Sequence, residues 1–230
     1  MIRTVLFDLD GTLLDTAPDL AFALNQVLQE QGRPALPLER IRPVVSHGTA
    51  GLLRIGFGLR PEDKDFAPLR QRLLDIYQAH LACATQPFPG IEALLAELER
   101  AGLRWGVVTN KPGWLTEPLL QQLGLAPRSA CIVSGDTTTR RKPDPEPLLH
   151  ACALAGCHAP ECVYVGDAER DVIAGRAAGM PTIVAAYGYI EAHENPLDWG
   201  GDHLVHEPGE ILAWLEKHNG ATVPPHPAVR

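Results

Sequence analysis

Short, nearly continuous apolar runs recur at residues 4–10, 103–110, 130–135, 162–167 and 182–186. Runs of this length with little polar alternation are the pattern of parallel strands covered on both faces. Between and beside them, apolar residues recur at three- and four-residue spacing over 91–100, 114–123, 145–154 and 169–178. Gly102, Gly124, Gly156 and Gly179 follow these four stretches, where a left-handed C-cap ends a helix. Strand-helix alternation predicts a Rossmann-like, doubly wound α/β parallel sheet with right-handed crossovers. One stretch breaks the alternation. From the first strand to Pro87-Phe88-Pro89-Gly90 only helical periodicity is found, at 19–31, 38–45, 49–55 and 68–84. The division expected is a core of residues 1–15 and 87–230, with an all-helical cap, residues 16–86, inserted after strand 1.

Composition narrows the partners. The chain has 230 residues, 45% of them hydrophobic and 21% charged, with a net charge of −8. An acidic chain without a basic patch is not built for nucleic acid or an anionic membrane surface. No apolar run approaches the roughly 18–20 residues of a membrane span, and acids follow the apolar start MIRTVLFDLDG at once, unlike a signal peptide. The five cysteines, Cys83, Cys131, Cys152, Cys157 and Cys162, read as reduced, buried small hydrophobes, so a cytoplasmic location is expected. Residues 16–86 hold eight basic and seven acidic residues, whereas the remainder is net −9. That makes the insert the better half to face an anionic substrate.

The candidate chemistry sits at the carboxyl ends of the strands, where open parallel sheets bind ligands. Strand 1 runs into Asp8-Leu9-Asp10-Gly11-Thr12, strand 2 into Thr109-Asn110-Lys111, strand 3 is followed by Arg141-Lys142-Pro143, and strand 4 ends in Gly166-Asp167 with Asp171 four residues on. Asp8 and Asp10 point the same way if the strand stays regular. Like charges packed together need a cation or a proton between them. A hard divalent ion such as Mg²⁺ suits such an all-oxygen site and recruits substrate phosphate. Asp167 and Asp171 can complete the cluster, Lys142 offsets its charge and holds phosphate, and Thr109 supplies a hydroxyl beside the amides of neighbours such as Asn110. Asp144 reads as a structural N-cap ahead of Pro145.

These motifs, FDLDGTLLDT, VVTN, RKPDP and VGDAERD, resemble the four motifs of the haloacid dehalogenase-like hydrolases, over the chain to about residue 215. More narrowly the sequence is similar to bacterial phosphoglycolate phosphatases. GVVTNKP, KPDPEPLL and the segment 187–202 are also similar to N-acetylmuramic acid 6-phosphate phosphatases. The resemblance implies that Asp8 is a nucleophile giving an aspartyl phosphate and Asp10 the general acid/base. It implies Thr109, Asn110 and Lys142 around the phosphoryl group, and Mg²⁺ on Asp8, the Asp10 carbonyl and Asp167, with Asp171 in support. Ala168 departs from a second Asp common in the family. Asp10 separates a phosphatase, which expels an alkoxide, from a dehalogenase, which needs no leaving-group acid.

A small phosphate ester is the expected partner, 2-phosphoglycolate first, then N-acetylmuramic acid 6-phosphate or another sugar phosphate. A phosphoryl-transferring mutase and a silent binding protein are the alternatives, the latter opposed by the intact acidic set. In the insert, the loop Ser46-His47-Gly48-Thr49 lies where related enzymes read the substrate. His47 is the candidate for a substrate carboxylate, assisted by Arg42 or Arg54. Cys152, Cys157, His158 and Cys162 fall within a short span, but they lack a C-x-x-C pair and divide between a helix and a strand, so no zinc site is expected. Trp199, Gly200 and Gly201 read as packing and turn, and 218–230 as a frayed tail.

Overall fold

A computed structural model of the chain describes residues 1–220. In chain order the elements are β1 (Thr4–Phe7), β2 (Leu14–Asp15), α1 (Ala17–Glu30), α2 (Leu38–Ile41), α3 (Gly48–Phe57), α4 (Phe66–Ala79), β3 (Gln86–Pro87), α5 (Ile91–Arg100), β4 (Arg104–Val108), α6 (Gly113–Gln122), β5 (Ile132–Val133), α7 (Glu146–Ala155), β6 (Cys162–Gly166), α8 (Glu169–Ala177), β7 (Thr182–Ala185), β8 (His203–Val205) and α9 (Gly209–Asn219). Six strands form one sheet in the order β5-β4-β1-β6-β7-β8. Every pairing in it is parallel.

Alternation along each strand divides the interior in two. Val5 and Phe7 of β1 join a core that takes in the apolar faces of α5, α6 and α9 and continues into α1, α3 and α4. Leu6 points the other way, into a second core with Leu148 and Ala151 of α7 and Ala174 of α8. Both faces of the sheet are thus dry, which is why its strands read as continuous apolar runs. Trp199 packs with Val172 and Val184.

All five predicted strands are present, each shorter than its apolar run, and the run 130–135 keeps only the two residues of β5. Three others carry no pattern to read: β2 and β3 have two residues each and β8 has three. β2 and β3 pair antiparallel, Leu14 with Pro87 and Asp15 with Gln86, and bracket the helical segment. Two predicted helices are corrected. The run 38–45 is one α-helical turn followed by a 3-10 turn, Arg42–His47, because Pro43 has no N–H to continue the α ladder. The run 68–84 starts earlier and ends at Ala79.

The residues released from α4 do structural work. Asp19, fully buried in α1, accepts from Ala84 N at 2.9 Å, Thr85 N at 2.9 Å and Thr85 Oγ1 at 2.7 Å. One carboxylate thus joins the start of the helical segment to its end. At the other pole, Ile2 N donates to Asn219 Oδ1 at 2.6 Å and Asn219 Nδ2 donates back to Ile2 O at 3.0 Å, tying α9 to the first strand. His218 and Asn219, expected in a tail, belong to α9; residues 221–230 lie outside the described residues.

Asp19→Ala leaves buried N–H and O–H donors without an acceptor. A loss of about 2–4 kcal/mol is expected in urea unfolding, and a loss below about 0.5 kcal/mol would show that the carboxylate is not the tie.

Candidate active site

β1 lies between β4 and β6, the first strand on each side of the reversal in strand order, and the site forms at their shared carboxyl edge. β1 stops at Phe7, so Asp8 and Asp10 leave a turn rather than a strand. Leu9 between them is fully buried and both aspartates line one cleft. Gly11 makes the turn at φ +90°, and a Cβ there would sit 2.0 Å from Asp167 Oδ2. Gly166 is as crowded, with a hypothetical Cβ 2.4 Å from Asp171 Cβ. Only glycine lets the two acidic strand ends approach this closely.

Asp8, Asp167 and Asp171 each bring a carboxylate oxygen within 4.8 Å of the others, and all three are buried. Lys142 makes this tolerable. Its buried Nζ lies 2.9 Å from Asp8 Oδ1, 2.8 Å from Asp171 Oδ1 and 2.6 Å from Tyr164 Oη. Arg170 Nη2 stands 3.8 Å from Asp8 Oδ2. Burial opposes the charge on Asp8, but Lys142 and Arg170 outweigh it and hold the carboxyl below its ordinary range. For Asp167, burial, with Asp8 and Asp171 nearby, outweighs Ser46 and Arg170 and pushes the carboxyl up to about 7. It accepts from Ser46 Oγ at 2.6 Å, Tyr189 N at 2.9 Å and Thr12 Oγ1 at 3.2 Å. Asp171 is raised, mainly by burial, and also accepts from Ala168 N. An oxygen-only donor set this crowded with negative charge fits a hard divalent cation such as Mg²⁺.

The β4 end supplies the next layer. Thr109 Oγ1 accepts from Lys111 N at 3.1 Å and faces the cleft. The Asn110 side chain clamps the Lys142 backbone, donating to its carbonyl at 2.9 Å and accepting from its N–H at 3.1 Å. What Asn110 offers an anion is its main chain, while its amide sets the height of Lys142. Asp144 accepts from Glu146 N at 3.0 Å, a helix-start role.

The helical segment closes the cleft from above, leaving about 590 Å³. His47 lines it and lies 2.9 Å from Glu191 Oε1. Arg54 takes the same Glu191 oxygen at 2.6 Å, and Arg42 takes Asp15 at 2.8 Å; neither lines the cleft.

Among the lining residues, Lys111, Tyr77, Arg70 and Arg170 were given no role from the sequence. Lys111 Nζ is 3.0 Å from Asp10 Oδ1 and 2.9 Å from Tyr77 Oη, joining the strand edge to α4. Burial opposes its charge, but Asp10 and Tyr77 raise its pKa. Arg70 lies two turns before Tyr77 on the same face of α4, and Arg170 lies within the acidic motif. The i, i+7 spacing and the place of Lys111 two residues after Thr109 are the signals that could have found them.

Removing Lys142 leaves two buried carboxylates short of a cation. Lys142→Met is expected to cost about 3–5 kcal/mol in metal-free buffer. Asp8, held low in the parent, contributes stability above the ordinary carboxylate range that is lost as pH falls. In the variant, burial raises the same carboxyl, and the folded state loses ground as pH rises. Urea unfolding should therefore show the deficit widening from about pH 4 to about pH 7; a pH-independent deficit would mean the lysine acts by packing alone.

A family model described as haloacid dehalogenase-like hydrolase matches residues 5–185. An N-acetylmuramic acid 6-phosphate phosphatase of Pseudomonas aeruginosa is 45% identical over 216 residues, 94% of this chain and 96% of that protein. A phosphoglycolate phosphatase of Xanthomonas campestris pv. campestris is 46% identical over 215 residues, 92% of this chain and 97% of that protein. Among solved structures, a predicted phosphoglycolate phosphatase from Haemophilus somnus superposes with a TM-score of 0.81 at 24% identity, covering 93% of this chain and 98% of that one, a likeness of fold. No helix among the described residues is long and apolar enough to cross a membrane. With its motifs gathered at one sheet edge and this likeness along nearly its whole length, the chain belongs to the haloacid dehalogenase-like hydrolases, and within them to the phosphoric monoester hydrolases.

Proposed function

We propose that the enzyme hydrolyses a small phosphomonoester bearing a carboxylate through an aspartyl phosphate on Asp8, with residues 16–86 as a cap domain over a core of residues 1–15 and 87–230. The observation that carries this is the Asp8 carboxylate, kept ionised by Lys142 at 2.9 Å in a cleft it shares with Asp10. An ionised carboxylate with one oxygen fixed by Leu9 N and Lys142 keeps the other, Oδ2, for phosphorus. Asp10, paired with Lys111, handles the proton of the leaving oxygen and then that of the attacking water. The Thr109 hydroxyl, the Asn110 main chain, Lys142 and Arg170 surround the transferring group, whose charge they spread. Asp8, Asp167 and the Asp10 carbonyl would hold Mg²⁺, with Asp171 in support. When bound, the ion supplies charge neutralisation between nucleophile and phosphate.

The preferred substrate is 2-phosphoglycolate. A second reading, N-acetylmuramic acid 6-phosphate, is favoured by the cleft's volume of about 590 Å³, which admits an amino sugar. Both molecules named by the relatives carry a carboxylate besides the phosphate. Arg70 and His47 are the basic groups that the helical segment gives the cleft. A cytoplasmic location, expected from the cysteine usage, belongs to the same reading.

Asp8→Asn should abolish turnover with the fold intact by circular dichroism. Chelation with EDTA should do the same to the parent, with recovery on adding Mg²⁺. Normal turnover of a folded Asp8→Asn enzyme would rule out the nucleophile. The two substrate readings separate by kcat/KM on both compounds at saturating Mg²⁺.

His47→Ala is expected to lower kcat/KM for the preferred carboxylate-bearing substrate by about 1–3 kcal/mol, the scale of a lost charged hydrogen bond. Turnover of p-nitrophenyl phosphate should change much less. Parallel losses would instead assign His47 to closure through Glu191.

A further inference from the structure

Cys152, Cys157 and Cys162, dispersed over a helix, a loop and a strand, converge on one point. Cys152 lies in the last turns of α7, Cys157 in the loop beyond it, and Cys162 is the first residue of β6. Cys157 Sγ is 3.1 Å from Cys162 Sγ, Cys152 Sγ is 3.6 Å from Cys162 Sγ, and all three sulfurs lie within 4.8 Å of one another. The sequence expectation of no metal site here rested on spacing within the chain. The structure removes that objection, because the sharp return at Gly156 (φ +62°) folds the loop back onto the strand.

We propose that these three thiols bind one soft d¹⁰ metal ion, Zn²⁺ or Cu⁺, at the end of the sheet opposite the phosphoryl site. Thiolates are the donors such ions select. Metal–sulfur bonds of about 2.3 Å place sulfurs about 3.8–4.0 Å apart, so seating an ion requires the trio to open by less than about 1 Å. Cys152 and Cys162 are buried, whereas Cys157 is half-buried and gives access from solvent and room for a water as a further ligand. As thiols the groups are held by weak contacts to Cys152 O at 3.7 Å and His158 O at 3.5 Å, which a metal replaces. For zinc the step is Zn²⁺ plus three thiols giving a tris-thiolate zinc centre and three protons. The centre carries one net negative charge. Arg104, whose guanidinium donates to the carbonyl of Ala155 at the end of α7, offsets it. From Cys162 to Asp167 the strand covers about 16 Å, so the site is separate from catalysis and does not rest on the phosphatase reading.

The test uses the reduced full-length protein freed of metal by chelation. Co²⁺ serves as an optical stand-in for zinc, Zn²⁺ is measured by competition with a chromophoric chelator, and Cu⁺ anaerobically by competition with bathocuproine disulfonate. One equivalent of Zn²⁺ or Cu⁺, with a thiolate-to-cobalt charge-transfer band in the near ultraviolet, is expected, and the arm that binds tighter names the ion. Cys157→Ala, at a half-buried position outside every helix and strand, should weaken binding by more than the roughly 10–100-fold that loss of an outer partner costs. Cys131→Ala, whose sulfur lies outside the trio, should retain binding. Metal should raise the melting temperature of the parent but not of Cys157→Ala. No binding of either ion, equal affinity in Cys157→Ala and parent, or a Cys157–Cys162 disulfide in metal-free protein isolated with its thiols blocked would overturn the proposal.

Discussion

A single buried ammonium group allows the rest of the site to exist. Three carboxylates taken from water into a space under 5 Å across would repel one another and surrender their solvation, a penalty of several kcal/mol per ion. Lys142 answers two of them directly, and Tyr164 Oη, at 2.6 Å, anchors the ammonium from a third side. Its position is not left to its own flexible stem. Both polar atoms of the Asn110 side chain fix the Lys142 main chain from the neighbouring strand end. The glycines at 11 and 166 belong to the same solution: by lacking a Cβ they let the strand ends come within reach of one cation.

The charge left unanswered at this edge reaches upward into the helical segment. Ser46 donates to Asp167, Arg42 to Asp15, and His47 and Arg54 share Glu191, so three carboxylates of the sheet side receive donors from above. Lys111 works in the opposite direction, leaving the sheet edge to meet Tyr77 of α4. These contacts are short and polar, and they surround a cleft rather than fill it. Within the helical segment α1, α3 and α4 pack on one another. The apolar side chains of α1, α3 and α4 run without a break into those of the sheet. Closure is therefore set by a shared apolar base and a ring of ionic latches above it.

The strands with apolar runs were legible because burial on both faces writes itself into sequence. β2, β3 and β8 were not, since their two or three residues, unlike those of β5, lie in no longer apolar run, and their pairing is decided by partners distant in the chain. The acidic motifs were legible through their places at strand ends. Alternation, however, gave the wrong reason for the alignment of Asp8 and Asp10: β1 ends before both, and the turn at Gly11 and burial of Leu9 aim them. Lys111, Arg170, Arg70 and Tyr77 were passed over because single basic or aromatic residues have no pattern; only the fold shows which enter the cleft. The three thiols were seen together and set aside for a related reason. Metal-ligand spacing rules assume ligands on one local turn, whereas these meet across the junction of a helix, a loop and a strand.

Hydrogen bonding within the cleft also bears on where substrate selectivity resides. At the sheet edge nearly every polar group is committed before a substrate arrives. One Asp8 oxygen is held by Leu9 N and Lys142, Asn110 by Lys142, and Asp10 by Lys111. Groups there without a hydrogen bond, such as the Thr109 hydroxyl proton and the Arg170 guanidinium that stands 3.8 Å from Asp8, suit a phosphoryl group. A second functional group on the substrate must therefore find its partners on the opposite wall. Arg70 donates one N–H to Thr49 Oγ1 at 3.2 Å and keeps the rest of its fork, and His47 has only Glu191 to give up. A substrate carboxylate entering there would compete with Glu191 for His47, exchanging a latch of the closed cleft for a contact to the ligand. On the proposed reading, recognition and closure would draw on the same side chain, and discrimination among phosphate esters would depend on how well each replaces the Glu191 carboxylate it displaces.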